Sequence, residues 1–392
     1  MNRPACLACG GQELIGVQPP RPLRGVTSDD RPWPGSWPIQ VCRDCGHVQK
    51  RLDQDWREEA RRIYAGYEHY AQSGGAEMVV FGGSAPVGRS AKLIQEYERL
   101  FGLGDVGRLL DLGCGPGSFM RAFAGLRPGW SMVGFDQDSR QADRVATIPG
   151  AEGFYCGSLD QVPGQFDLIS LIYVLEHLPE PVESLGRLAR LLKPGGRLIG
   201  VVPGFLENPF DLMILDHCSH FSPASLSRLA SSSGLAGLEI AAGWLPRQIA
   251  FVFGRPEEAA GGRGRAEQGS PDLEAAGRGL NWLGRVAAQA REAAGGRFGL
   301  FGTATGASWL CGELGQAVGF FVDEDPARAG RSHLGRPVFR PDQVPAGSRV
   351  YLALPPALAF GLGEKLASLR PDLEFILPPA LDPPAGAAAP KD

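Results

Sequence analysis

The segment Leu109–Phe119, reading Leu-Leu-Asp-Leu-Gly-Cys-Gly-Pro-Gly-Ser-Phe, constrains this chain more than any other. An apolar run containing an acid passes through three alternating glycines and restarts as a helix. That order reads as a first β-strand, a tight ligand loop and a helix N-terminus. Gly113, Gly115 and Gly117 carry no Cβ, so the backbone can take positive φ and approach a ligand closely. The next strand, Met132–Asp136, also ends in an acid, about 20 residues past the turn, where such folds hold a ribose diol. The implied fold class is α/β, a Rossmann-like doubly wound sheet with its ligand outside the carboxyl ends of the strands. Dinucleotide enzymes share the glycine loop, but they favour Gly-x-Gly-x-x-Gly with no acid in front.

At 392 residues the chain is too long for one compact core and predicts two or three domains. Its 43% hydrophobic and 21% charged residues are those of a globular protein. The sequence has no apolar run of membrane-spanning length and no signal-peptide pattern, so a cytoplasmic location and no membrane partner are expected. A net charge of −4, with no Lys-rich or aromatic-basic run, argues against a nucleic-acid partner. Four of the eight cysteines form two near-copies, Cys6-x-x-Cys9-Gly and Cys42-x-x-Cys45-Gly. Two such knuckles supply the four sulfurs of a tetrahedral, closed and therefore structural Zn2+ site. The long Pro/Arg-rich stretch between them is expected to loop over the metal.

The expected organisation is a zinc-binding domain over 1–55, a helical lid or connector over 56–105, and a ligand-binding domain over 106–253. A linker with a connecting helix follows over 254–296, then a second Rossmann-like domain over 297–380 and a disordered tail over 381–392. In the second segment, Tyr64, Tyr67 and Tyr70 share a helix face, followed by Ser73-Gly74-Gly75. They either pack on the next domain or form a lid over its site. The ligand-binding domain continues with a strand over Ala151–Leu159, with Ser158 and Leu159 at its end. A fully buried strand, Phe166–Ile172, leads into Tyr173-Val174-Leu175-Glu176-His177-Leu178, and a fifth ends at Pro203. Gly261–Arg265 reads as a flexible joint, and Leu273, Leu280, Leu283, Val286 and Ala290 mark an amphipathic helix. The last domain repeats strand, glycine turn and helix from Arg297 to Ala307 without the dinucleotide fingerprint. It serves either as a structural unit or as the site for the nucleotide half of a substrate.

The run Asp111–Gly117, with Phe166-Asp167-Leu168-Ile169, Leu175-Glu176-His177-Leu178 and Leu191–Leu198, resembles the class I S-adenosylmethionine (SAM) methyltransferases. The resemblance implies SAM as cofactor, held by Asp111, Gly113, Cys114, Gly115, Gly117, Asp136, Gln137, Ser158, Leu159, Tyr173 and Glu176. The order of the parts (Cys knuckles, SAM domain, second Rossmann-like unit) resembles the sugar C-methyltransferases that act on nucleotide-linked 4-ketodeoxysugars. That family carries Tyr-His-Glu-His-Leu-Ser-Tyr-Phe-Ser after the fifth strand. Here His217, Ser219, Phe221 and Ser222 match, Asp216 is a shortened Glu, His220 replaces a Tyr, and Ile214 stands where the leading Tyr would be. His217 is the expected general base with Asp216 as its carboxylate, His177 lies in reach, and the chain either lacks the family's phenol or fills its part with Tyr64, Tyr67 or Tyr70. The partner is then a small-molecule substrate such as a nucleotide sugar. O-methylation of a sugar or natural product, RNA methylation and a non-catalytic SAM-binding role are the alternatives.

Overall fold

The computed structural model describes residues 4–67, 79–80, 87–259 and 271–381. Tyr70, Ser73–Gly75, the Gly261–Arg265 joint and the tail from 382 onward lie outside the described residues. No described helix is long and apolar enough to cross a membrane.

The N-terminal unit is built on β1 (Leu14–Val17), β2 (Ile39–Cys42) and β3 (Val48–Lys50), paired antiparallel in that order. Helix α1 (Gln54–Ala65) follows, capped by Asp53, whose side chain accepts from the Trp56 N–H. The Pro/Arg-rich stretch does not cover the cysteines as expected. It pairs Gly25–Val26 with Pro32–Trp33 and lies on the C-terminal domain, where Trp309 Nε1 donates to the Arg24 carbonyl at 2.9 Å. Its prolines and glycines favour a turn-rich strap, and the apolar Leu23 and Val26 draw that strap into a core shared with the far domain.

After α2 (Arg89–Phe101), the central domain alternates strand and helix. It contains β4 (Gly107–Leu112), α3 (Ser118–Leu126), β5 (Trp130–Asp136), β6 (Ala151–Cys156), β7 (Phe166–Ile172), α4 (Pro181–Leu191) and β8 (Leu192–Pro203). A loop then carries the two-residue β9 (Ser219–His220), α5 (Pro223–Ser232), β10 (Ala236–Ala241) and β11 (Gln248–Gly254). The sheet order is β6-β5-β4-β7-β8-β11-β10, parallel through β8, with β11 antiparallel to both neighbours. Strand β7 has the predicted bounds and is apolar because helices cover both faces. The order reverses between β4 and β7, so their carboxyl ends open the crevice where ligands sit in such sheets.

Strand β9 leaves this sheet and pairs antiparallel with β3, so the N-terminal sheet runs β1-β2-β3-β9. The C-terminal domain contains β12 (Phe298–Phe301), α7 (Thr305–Leu314), β13 (Phe320–Val322), β14 (Ser332–His333), β15 (Arg336–Phe339), β16 (Arg349–Leu352), α8 (Pro356–Leu369) and β17 (Glu374–Ile376). Its sheet order is β14-β15-β13-β12-β16-β17, a second Rossmann-like unit as expected.

The expected connecting helix is α6 (Pro271–Ala293), and it does more than connect. Leu280, Trp282, Leu283 and Val286 are buried in one cluster with Val41 and Val48 of the first unit, Phe210 and Leu212 of the central domain, and Trp309 and Tyr351 of the last. The start of the tail is docked on the same helix, since Pro379 and Ala380 accept from Trp282 Nε1 and Arg285 Nη2. Leu283→Ala should therefore cost about 2–5 kcal/mol, the usual range for a buried leucine. Denaturant melts should show one earlier transition for all three units, and separate early loss of the C-terminal unit alone would contradict a shared core.

Candidate active site

The glycine loop after β4 is wound by its own backbone. The N–H groups of Gly113 and Cys114 both donate to the Phe135 carbonyl, and Gly113, Gly115 and Gly117 take φ of +66°, +50° and +80°. A Cβ on Gly113 would stand 2.4 Å from Val174 Cγ2, and one on Gly117 would stand 2.4 Å from Ile148 Cδ1. Both conformation and space thus require glycine. Asp136 is fixed at the end of β5, where its two oxygens accept from Gly115 N–H at 2.8 Å and Asp138 N–H at 3.0 Å. A carboxylate has about four acceptor positions, so capacity for a diol remains. Gln137 follows and accepts from the Cys156 thiol through its carbonyl. Ser158 caps the turn Leu159–Gln161 by accepting from Asp160 N–H. Tyr173 ends β7 at φ +57°, a strained conformation for a bulky residue, with the Arg89 guanidinium 4.3 Å from its ring centre.

Asp111 is placed differently from expectation. It is 2% exposed, accepts from Ser170 Oγ at 2.7 Å on the neighbouring strand, and lies under the loop rather than in the cavity wall. Burial raises its carboxyl to about 7, partly offset by the Ser170 hydroxyl and reinforced by Asp136. Through that bond it ties the end of β4 to β7, where Ser170 stands opposite it in the parallel register.

The loop between β8 and α5 holds the histidines, and the N-terminal unit holds the loop. Leu215 N–H donates to the Val26 carbonyl, Trp56 Nε1 to the Leu215 carbonyl, and the buried Lys50 Nζ to the Leu212 carbonyl. His47 Nε2 meets Ser219 Oγ at 3.1 Å. Asp216, expected beside His217, is instead taken by Ser28, which donates from both its N–H and its hydroxyl. Asp216 and His217 sit in the turn before β9, where sequence neighbours need not share partners. The carboxylate of His217 is Asp211, with Oδ1 2.8 Å from Nδ1, while its Oδ2 lies 2.7 Å from Nδ1 of His220.

Sequence reading missed Asp211. It sits in the turn Pro209–Met213, and only the reversal of the loop brings it back to residues six and nine places on. Asp211, His217 and His220 are 1%, 3% and 0% exposed. Burial alone would lower the His217 imidazole, but the charge and the hydrogen bond of Asp211 outweigh it and hold the ring above its usual value. Burial would raise Asp211, and the two imidazoles beside it hold it well below the carboxylate range instead. His220 has only one contact of this kind and is pushed down to about 4, chiefly by burial.

His177 packs perpendicular to His217, with ring centres 4.7 Å apart. Its Nδ1 meets Tyr64 Oη at 2.9 Å and the Asp216 carbonyl at 3.1 Å, so α1 does reach the site. Burial and the His217 charge push His177 down to about 4, which leaves it neutral at pH 7. A cavity of about 340 Å3 joins these groups. It runs from Gly113, Cys114, Gly115 and Tyr173 past Glu176, His177 and His217 to Gly302, Thr305 and Arg328 of the C-terminal domain. Tyr67 and Ile214 also line it, whereas Gly117, Asp136, Gln137, Ser158 and Leu159 lie along the strand ends beyond it.

Where the segment before β1 meets the β2–β3 turn, the sulfurs of Cys6, Cys9, Cys42 and Cys45 all lie within 4.8 Å of one another. The Cys6–Cys45 and Cys9–Cys42 separations are 3.5 and 3.7 Å. Gly10 and Gly46 turn the two knuckles at φ of +75° and +76°.

Residues 88–240 match a family model described as a methyltransferase domain. The ubiquinone biosynthesis O-methyltransferase of Thiobacillus denitrificans is 30% identical over 156 residues, covering 34% of this chain and 66% of that protein. Its namesake from Aeromonas salmonicida is 30% identical over 152 residues, covering 33% and 62%. The chain thus spans somewhat under two thirds of the length of these curated relatives. A solved calicheamicin-biosynthesis methyltransferase, CalO1, is similar at 22% identity over 43% of this chain and 54% of that one, with a TM-score of 0.35. With the glycine loop, the acid ending the second strand and the strand order around them, residues 88–240 are a class I SAM-dependent methyltransferase domain.

Proposed function

We propose that this chain methylates a nucleotide-linked ketosugar at the carbon beside its ketone, with SAM as methyl donor and His217 as base. The observation that carries the reading is the two-ended cavity, which joins the glycine loop and the His217–Asp211 pair to the glycine turn of the C-terminal domain. At that far end, Gly302 turns at φ +91° before α7 begins at Thr305, and Arg328 stands beside Thr303 at 3.0 Å. Backbone N–H groups at a helix start with a guanidinium nearby suit an anionic, nucleotide-bearing end. Asp30 of the N-terminal unit reaches the same turn by accepting from Thr305 Oγ1 at 2.9 Å, so all three units border the acceptor.

Bound SAM supplies an electrophilic methyl group, so the protein's task is to line up the acceptor and make it nucleophilic. Asp136, the glycine loop and Leu159 would hold the cofactor. The hydrogen bond of His217 Nδ1 to Asp211 leaves Nε2 to take a proton, and Asp211 stabilises the imidazolium that results. Four sulfurs at these separations fit a tetrahedral Zn2+, and four thiolates so close would repel one another without a cation. In this reading the zinc is structural, and β2 and β3 carry its order to the catalytic loop.

His217→Ala should lower turnover by roughly 10² to 10⁴ while leaving SAM affinity nearly intact. Carbon methylation also predicts exchange of the hydrogen beside the ketone with deuterated water, lost in the same variant. Methyl transfer without exchange would indicate O-methylation, the activity named for the ubiquinone relatives.

The base works unprotonated and its imidazole is held above 6.5, so kcat/KM should climb with pH through a limb above 6.5. Asp211→Asn removes the principal raising charge, so that limb should move to lower pH as the maximum rate falls. A limb that stays put in Asp211→Asn would refute the pairing.

Metal analysis should find one equivalent of zinc. Cys42→Ser should lose it and lower turnover more than SAM affinity, and a zinc-free wild-type protein with full activity would contradict the assignment.

A further inference from the structure

Glu176 stands in the turn Leu175–His177 after β7 and lines the reaction cavity. It is 1% exposed, and both its carboxyl oxygens are without a hydrogen-bond partner among the described residues. A buried acid with no partner is costly and calls for a ligand or a role. Its carboxyl lies within 4.8 Å of ring nitrogens of both His177 and His217. The groups facing it are those two imidazoles, the Asp211 and Asp216 carboxylates, the Cys218 thiol on the catalytic loop and the Tyr64 phenol of α1. Burial raises its carboxyl, His217 pulls it back, and Asp211 and Asp216 raise it further, to about 8. At pH 7 it is a neutral acid with one O–H to donate.

Building on the reading of His217 as the base, we propose that Glu176 is the hydrogen-bond donor to the carbonyl oxygen of the acceptor. When His217 takes the proton from the carbon beside the ketone, the C–H electron pair becomes a carbon–carbon double bond. The carbonyl pair moves onto oxygen, and that charge needs a donor which keeps its own proton. The Glu176 carboxyl supplies the O–H and remains protonated, as a carboxylic acid in an apolar site does elsewhere in enolate chemistry. When the carbon forms its new bond to the methyl group, the pair returns to the carbonyl and the hydrogen bond relaxes. Ile214, which lines the same cavity, has no polar side-chain atom to offer.

The test uses the full chain and a thymidine diphosphate-linked 4-keto-6-deoxyhexose in deuterated water, reading exchange and methyl transfer together, with thermal unfolding as the check on folding. Glu176→Ala should slow exchange by about 10² to 10³, the usual effect of removing one oxyanion donor. Glu176→Gln keeps an N–H donor that does not ionise. It should hold exchange within about tenfold of wild type and abolish the decline in wild-type rate above about pH 8. Glu176→Gln as slow as Glu176→Ala, with the decline retained, overturns the donor role. So does stimulation of wild type by added Mn2+, which would make the carboxyl a metal ligand. Wild type that exchanges, with both variants exchanging equally well, removes the donor and leaves the carbon-methylation reading standing. Wild type that transfers methyl with no exchange removes both.

Discussion

The histidine-bearing loop of this protein is held by a domain other than its own. Residues 204–222 hold little regular structure, so their buried backbone groups need partners from elsewhere. The antiparallel pairing of Ser219–His220 with Val48–Gln49 supplies them, extended by the Lys50 N–H to the Cys218 carbonyl and the Leu215 N–H to the Val26 carbonyl. The loop's own domain supplies only a few further bonds, such as the Gly204–Phe221 bridge and the Cys218 N–H to the Glu176 carbonyl. The order of Cys42 in β2 is two strand pairings away from His220 in β9. The four-cysteine cluster is thereby tied to the placement of His217 and His220.

The same loop concentrates buried charge. Asp211, Asp216, His217, His220 and Lys50 are all at most 3% exposed, and none would be stable there singly. Asp211 makes the group tolerable because one carboxylate serves two imidazoles. Lys50 is pushed down to about 7 by burial even with Asp211 and Asp216 pulling upward. Breaking a buried pair from one side typically costs about 3–5 kcal/mol, because the other charge is left uncompensated. Substitutions here therefore act on folding as well as chemistry, which is why neutral isosteres discriminate better than alanine.

How much of this could be read from residues alone follows their physics. Strands β5, β7 and β12, the glycine loop and the last Rossmann-like unit declare themselves by apolar runs and glycines, which are local signals. The helix α6 was legible from Leu280, Leu283, Val286 and Ala290, yet not its partners, because periodicity gives a buried face without saying what buries it. The two-residue β9 is too short to carry a pattern. Asp211 and Asp216 show the limit most clearly. Sequence adjacency favoured Asp216 as the partner of His217, but a loop reversal gave that part to Asp211 and gave Asp216 to Ser28, 188 residues away.

The C-terminal domain meets the histidine-bearing loop by packing as well as by lining the same cavity. Phe210, in the turn that carries Asp211, lies against the first turn of α7 so closely that a Cβ on Gly306 would stand 3.0 Å from its ring and 2.5 Å from the Ala353 carbonyl. Its ring also meets Trp282 of α6 and Trp309 of α7, with centres 5.2 and 5.7 Å away. Phe210, the chain neighbour of Asp211, therefore has no room to move away from α7. Close-packed side chains have no free volume to absorb a displacement. The N-terminal unit and the C-terminal domain thus both pack against the loop that carries Asp211 and His217, one by strand pairing and the other by the rings around Phe210.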